Sequence, residues 1–534
     1  MKEIVFGLFG GLGIFIYGMI LMSESLQKVS RDKLKKILSN LTSNRFKGVF
    51  VGTVMTSIIQ SSSVTSVILI GFLNAGLMNL TQGLAVMFGA NIGTTITAQL
   101  IAFKITDYAW LLVGIGAFTY FYFDNNKHRS LGLVILGFGL IFIGLNTMKS
   151  VVAPLKEIGV IDHFFVQFSR NPLLAIFVGM VATAVLQSSS VTIGITLALA
   201  SSGLINLPAS IFILIGGNIG TCVTAVIASI GGKSSAKKLA LGHTLFNVLG
   251  AGIAFLMLPI YLYFIPLISS DISRQIANTH TLFNIVNTLI FIGFISLFAK
   301  LLNKIIKAKE NKREDGEYLD RNLLKTPPFA IKAAVKELSR MLNITKEMFG
   351  DSNVLFKRYN YKTQKKIVTD EESVDLAQKE ITEYLVEITR KQLDDKDSNL
   401  IPSLIHTVND IERVGDHCEN LVKFAENKHE NNAKFSEKAV KEIDKINILI
   451  NELFELSYKA MIEENKVAAR KGISIKNDIK LLLQQFRMKH IERMKKGLCL
   501  SEPGLIYTDI LSSYELICGH LANINESVAD NGRR

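Results

Sequence analysis

Gln60, Ser61, Ser62 and Ser63 stand in a row inside an otherwise apolar stretch, TSIIQSSSVTS. The same four residue types return at Gln187, Ser188, Ser189 and Ser190 in TAVLQSSSVTI. A lone serine in a membrane helix usually packs as a small residue or bonds its own backbone. Three serines in succession cannot all face one packing partner, and here the block occurs twice. Such a row suits a small anion. Serine hydroxyls donate without a fixed charge, and a helix beginning at the serines adds free N–H groups and about half a positive charge. Helix N-termini of this kind bind phosphate.

The apolar segments contain no Lys or Arg, except at their ends. A dianion held by two helix ends would meet roughly one positive charge in total. An ion at the bilayer centre costs at least ~2.5 kcal/mol. Either the substrate is neutral or a cation binds with it. Oxygen ligands for a hard cation are at hand in Gln60, Gln187, Asn91, Asn218, Thr94, Thr95 and Thr221. Glycine breaks in GANIGTT (89–95) and GGNIGT (216–221) would add backbone carbonyls; a glycine-permitted kink is the plainer reading and can coexist with a site. Sodium is the simplest cation, and its gradient would drive transport. Neither serine block has a paired His or acid to activate it, and there is no nucleotide-binding P-loop, so neither an enzyme nor an ATP-driven pump is expected.

The elements that must position these residues form a membrane half. Residues 1–299 carry 18 Lys+Arg and 8 Asp+Glu; residues 300–534 carry 41 and 38. The excess positive charge of the first half sits in short loops, which marks membrane orientation rather than nucleic-acid binding. Four scattered cysteines without a CxxC suggest reduced thiols. Spanning segments are expected near 4–22, 80–103, 108–123, 131–148, 207–230, 239–262 and 277–299. The first is read as a retained helix, since it lacks an A-x-A cleavage pattern.

The segments 47–74 and 173–203 differ. Each could span, but the QSSS block divides it into halves of roughly 16–22 Å at 1.5 Å per residue. A half-helix, a polar turn and a returning half-helix fits that division. Residues 44–102 align without gaps to 171–229, with 24 of 59 positions identical, including Thr65/Thr192, Asn91/Asn218 and Thr94/Thr221. GLGIFIYG (11–18) likewise resembles GFGLIFIG (137–144). The doubled unit predicts a transporter fold with repeats near 4–123 and 131–230.

If both QSSS segments are re-entrant, three crossings separate the repeats, which are then inverted. The basic loop 24–47 (Lys28, Arg31, Lys33, Lys35, Lys36, Arg45, Lys47) belongs in the cytoplasm. Seven crossings put the N-terminus outside and the C-terminal half inside. Two full crossings at the QSSS segments satisfy the charge rule equally but make the repeats parallel. HTLFN also occurs twice, at 243–247 and 280–284, and can be read as helix packing or as a direct role for His243 and His280.

Residues 300–328 form a charged linker ending in TPP. Beyond it, 329–534 reads as a helical bundle from its i, i+3, i+4 apolar spacing. The fold class is therefore all-α: a polytopic membrane domain followed by a cytosolic helical domain.

Paired QSSS hairpins, each followed by NIGT, resemble the sodium-coupled phosphate symporter family in its bacterial form, over about residues 1–300. The resemblance implies that Ser61–Ser63 and Ser188–Ser190 contact inorganic phosphate. It also implies that Gln60, Gln187, Asn91, Asn218, Thr192 and neighbouring threonines, Thr65 among them, serve sodium. An acidic residue near the first hairpin of some animal members has no counterpart here, for no Asp or Glu lies between Asp32 and Asp107. The tail resembles the PhoU phosphate-regulator domain, a pair of three-helix bundles, with NDIERVGDHCENL (409–421) as its signature. Glu412 and Asp416, at i and i+4, could share a divalent metal. The second copy, SYELICGHLANI, keeps Glu515, His520 and Asn523 but has Gly519 where the pattern has Asp, which weakens any metal site there. A regulatory partner of this tail and a homodimer are further expectations.

Overall fold

The computed structural model describes residues 2–39, 44–103, 105–154, 171–307, 318–391, 393 and 395–530, with the side chains of 31–39, 106 and 325 left aside. Every regular element among the described residues is helical. The chain divides into two compact units, Met1–Glu310 and Asn311–Arg534. Residues 308–317 of the expected linker lie outside the described residues.

The first unit holds α1 (Lys2–Ser39), α2 (Arg45–Ile59), α3 (Ser62–Asn74), α4 (Leu80–Ile101), α5 (Ala109–Tyr122) and α6 (Asn126–Val152). It continues with α7 (Pro172–Leu186), α8 (Ser189–Ser201), α9 (Leu207–Ser229), α10 (Ser234–Ile268), α11 (Ile272–Gly293) and α12 (Ile295–Ile305). The basic stretch expected as a loop over 24–47 is helical to Ser39, because its Lys and Leu residues favour helix and nothing breaks the run. Among the described residues, five helices are long and apolar enough to cross a membrane: α4, α6, α9, α10 and Lys2–Ser30 of α1. A sixth candidate is the pair α11 and α12, bent by 77° at Phe294. The seventh expected crossing, 108–123, is a helix of 14 residues, about 21 Å at 1.5 Å per residue. That is short of the ~20 residues a span needs.

Large apolar side chains face outward in this unit, among them Phe6, Phe9, Trp110, Phe121 and Leu256. That is the surface a lipid-embedded bundle presents.

Two internal relationships organise the unit. α1 and α6 pack antiparallel through the similar segments 11–18 and 137–144. A methyl group on Gly11 would stand 3.0 Å from the Gly144 carbonyl oxygen, and one on Gly18 would stand 2.7 Å from that of Gly137. First residue meets last in both directions, as a two-fold axis between equivalent helices requires. In each repeat the first half-helix also lies backbone to backbone on the long helix that follows. Methyl groups on Gly52 and Gly89 would fall 1.9 Å and 2.0 Å from carbonyl oxygens of α4 and α2, and on Gly179 and Gly216 both would fall 2.0 Å from those of α9 and α7. Only glycine permits that approach, and small residues are how helices associate where no hydrophobic force separates protein from lipid.

The second unit packs α13 (Pro327–Lys357), α14 (Tyr361–Thr389) and α15 (Asp395–Glu430) as one three-helix set. It packs α16 (Glu437–Glu463), α17 (Lys466–Lys495) and α18 (Ser501–Asp530) as another. α15 and α18 join the sets. Phe349, Phe454 and Tyr514 meet at their interface.

Candidate functional site

α2 ends and α3 begins at the first QSSS block. Gln60 closes α2 in the left-handed region at φ 58°, and Ser61 caps α3 with φ −149° and ψ 108°. Gln187 and Ser188 repeat this at φ 51° and at φ −148°, ψ 108°. A glutamine held at positive φ is uncommon and costs of order 1 kcal/mol or more, so the surroundings must impose it.

The break is sharp. The Thr56 hydroxyl donates to Thr65 Oγ1 at 3.0 Å, and the Thr183 and Thr192 hydroxyls are 2.8 Å apart. On a straight helix, residues nine apart would be separated by about 13 Å along the axis, so the chain turns at each block. The Ser23 hydroxyl and the Gln27 amide both donate to the Ile59 carbonyl, 2.7 Å and 3.3 Å away, at the end left open by the break.

The serines divide by role. Ser61 Oγ accepts from Val64 N at 3.2 Å and Ser188 Oγ accepts from Val191 N at 3.4 Å, so both cap the returning helices. Ser62, Ser189 and Ser190 are buried and Ser63 is half-buried. Their hydroxyls have no hydrogen-bond partner among the described residues, and all four sit in the first turn of α3 or α8. At each block, two unspent hydroxyls in the first turn of a helix are donors of the kind an oxyanion accepts.

The glutamines differ. Gln60 is buried, and its Oε1 accepts from the Thr97 hydroxyl at 2.7 Å; Gln187 is exposed. Thr224, the repeat counterpart of Thr97, donates instead to the Thr221 carbonyl at 2.8 Å.

The expected glycine breaks at 89–95 and 216–221 are not breaks: α4 and α9 run through them. The glycines there serve the close approach of α2 and α7, and the backbone carbonyls stay in the helix. The Thr94, Thr95 and Thr221 hydroxyls donate to Ala90, Ile92 and Asn218 carbonyls, within 3.0 Å. That leaves their oxygens lone pairs for a cation. Asn91 donates to the Met87 carbonyl at 2.9 Å.

Asn218 is held across helices. Its Oδ1 lies 3.1 Å from His280 Nε2, and its Nδ2 donates to Asn284 Oδ1 at 3.1 Å. This ties one HTLFN segment to one NIGT segment, a link that sequence spacing does not show. Thr56/Thr183 and Thr97/Thr224 also escaped the sequence reading, although all four are identities of the repeat.

In the second unit, Asp416 Oδ2 accepts from Arg413 at 3.1 Å, and Glu412 lies 3.6 Å from the same guanidinium. The carboxylates that converge are Glu371, Asp375 and Asp416, with one oxygen from each within 4.8 Å of the others. Glu412 is not in that group. Burial, then the charge of Asp375, pushes Glu371 up to about 7. His520 and Asn523, expected beside a weakened second metal motif, both contact Asp410 Oδ1 at 2.9 Å. Glu515 pairs with Arg487 at 2.7 Å. These residues tie α15, α17 and α18 together.

A bundle of apolar helices built from two repeats, with free serine hydroxyls at paired helix starts, defines a multi-pass membrane transport protein. The chain belongs to the Na+/Pi-cotransporter family, whose profile matches residues 14–150 and 158–306, and the profile of the PhoU domain matches 338–425. This is a family of transporters and not of enzymes. Among similar proteins, "Uncharacterized protein YqeW" of Bacillus subtilis is 33% identical over 295 residues, 55% of this chain and 96% of the relative. "Putative inorganic phosphate export protein YjbB" of Salmonella typhimurium is 22% identical over 492 residues, 91% of this chain and 90% of the relative. Human "Sodium-dependent phosphate transport protein 2B" is 30% identical over 97 residues, 18% of this chain and 14% of the relative.

Proposed function

We propose that this chain moves inorganic phosphate across the cytoplasmic membrane together with sodium, by alternating access around the two QSSS blocks. The observation that carries the reading is the set of unpartnered hydroxyls of Ser62, Ser63, Ser189 and Ser190 at the starts of α3 and α8. Ser61 and Ser188 cap those helices and complete the anion shell. Each V-shaped pair acts as a re-entrant hairpin, with its polar tip inside the bilayer. Sodium binds among Gln60, Thr65, Asn91, Thr94 and Thr95 in one repeat and Gln187, Thr192, Asn218 and Thr221 in the other. These residues supply neutral oxygens, which offset anion charge only when a cation fills them. α5 serves as a short seventh crossing, which leaves the N-terminus outside and the PhoU-like unit in the cytoplasm, where it regulates flux. A homodimer and a cytosolic regulatory partner belong to the same reading.

Export is the second reading, favoured by the name of the Salmonella typhimurium relative, which is similar over 91% of this chain. Radiolabelled phosphate flux in proteoliposomes tests both. Accumulation driven by an inward sodium gradient, abolished when potassium replaces sodium and lost in Ser62→Ala and Ser189→Ala, supports symport. Phosphate binding without concentrative flux would turn the assignment to a sensor. Flux untouched by either substitution would make the serines packing residues.

A further inference from the structure

HTLFN lies near the start of both α10 and α11, at His243–Asn247 and His280–Asn284. The two helices take exchanged places in the bundle. α10 lies chiefly on α9 and also touches α4; α11 lies chiefly on α4 and also touches α9. Their mutual contact is Asn287 against Gly250, which are counterparts at the same 37-residue offset as the pentapeptides, and a methyl group on Gly250 would stand 2.3 Å from Asn287 Nδ2. The exchange makes His243 and Asn247 the counterparts of His280 and Asn284, and Asn91 that of Asn218.

The counterparts are not equally satisfied. His280, Asn284 and Asn218 bond one another at 3.1 Å. On the other side Asn91 turns to its own helix, and both ring nitrogens of His243 and the Oδ1 of Asn247 have no partner. His243 and Asn247 are at most 1% exposed. The Asn247 amide is fixed with its oxygen outward from its partners, because Nδ2 donates to the His243 carbonyl at 3.1 Å and to Cys222 Sγ at 3.4 Å. Asn287 Nδ2 likewise donates to the Phe246 carbonyl at 3.1 Å and leaves its Oδ1 unpaired. Buried polar atoms are almost always partnered, so an unpaired group of them marks a place built for something else.

The donor set is specific. A neutral imidazole offers one lone pair and one proton, and the two amides offer oxygens. α4, α9, α10 and α11 contain no acidic residue. Calcium and magnesium draw on carboxylates, and imidazole-bound transition metals usually take several His, Cys or carboxylate ligands; two neutral amide oxygens suit a hard monovalent ion, with the His243 ring as a polar neighbour. We infer that His243, Asn247 and Asn287 form a second sodium site between α10 and α11, apart from the QSSS and NIGT residues. This rests on the reading that sodium is the coupled ion, and gives the doubled HTLFN segment unequal tasks: His280 and Asn284 orient Asn218, while His243 and Asn247 bind.

The test is sodium-dependent thermal stabilisation of the full chain in detergent, with choline chloride keeping ionic strength constant and no phosphate present. It is read in a Gln60→Ala/Gln187→Ala background, which weakens the proposed sodium site by removing one ligand from each repeat, so the decisive reading is the response to changes at Asn247. A stabilisation that remains in that background, disappears on adding Asn247→Leu, and moves to about tenfold lower sodium with Asn247→Asp supports the site. No remaining stabilisation, or one unmoved by both substitutions, overturns it and leaves these atoms to buried water. Where Asn247→Leu does not fold, Asn247→Asp decides alone: an unchanged sodium midpoint overturns the site. Phosphate flux is measured separately, so loss of the transport reading shows as absent flux and not as an absent sodium shift.

Discussion

The Thr56 hydroxyl donates to Thr65 across the first QSSS turn, and Thr183 and Thr192 repeat the contact across the second. Both pairs are buried and lie nine residues apart in sequence. They clasp each V-shaped pair of half-helices just behind the serines, and so set the angle between the two arms of each pair.

Removing Thr56 takes a donor from Thr65, whose hydroxyl keeps its bond to the Ser61 carbonyl at 3.0 Å. Thr56→Val is expected to destabilise the protein by ~1 kcal/mol, whereas Thr56→Val with Thr65→Val should cost less than the sum of the single changes. Thermal unfolding of the four members of the cycle measures this. An additive cycle would show that the hydroxyls do not interact.

Gln60 and Gln187 should part company. Thr97 holds Gln60, while Gln187 is exposed. Gln60→Ala is expected to lower stability by ~1 kcal/mol and Gln187→Ala by less than half of that. Gln60→Ile should be worse than Gln60→Ala, because a β-branched residue is poorly tolerated at φ 58°. Unfolding midpoints in one detergent rank the three.

The glycines that bring α2 onto α4 and α7 onto α9 admit no methyl group. Gly52→Ala, Gly89→Ala, Gly179→Ala and Gly216→Ala should each abolish monodisperse protein on size-exclusion chromatography, since backbone must move to relieve the clash. Gly114→Ala in α5 meets nothing within 4 Å and should behave as the parent. Equal yields across the set would disprove backbone contact in the interior.

In the second unit, burial pushes Glu371 up to about 7 beside Asp375 and Asp416. An acid raised on folding binds a proton more tightly in the folded chain than in the unfolded one. Its contribution is favourable below the ordinary carboxylate range and is lost as the pH rises towards about 7. Glu371→Gln should therefore raise the unfolding temperature of this unit in the full chain at pH 8 and leave it nearly unchanged at pH 4. A shift of equal size at both values would remove electrostatics as the cause.

The sequence alone determined the all-helical division into an apolar first half and a charged second half, the repeat at a 127-residue offset, and the breaks at both QSSS blocks. Those features are written in composition, periodicity and polar residues placed against an apolar background, all of which act over a few turns of chain. It misjudged NIGT, where glycine signals either a kink or a close neighbour, and only the packing of Gly89 on Val49 distinguishes them. It also took Glu412 and Asp416 as a pair from their i, i+4 spacing, whereas Asp416 meets Glu371 and Asp375 on another helix. Tertiary structure alone decided which polar groups are spent and which are free: Gln60 on Thr97, Asn218 on His280 and Asn284, and His243 on nothing. Hydrogen-bond satisfaction depends on which side chains converge from distant segments, and repeat copies with the same residues come to different ends because the chain threads them into unequal surroundings.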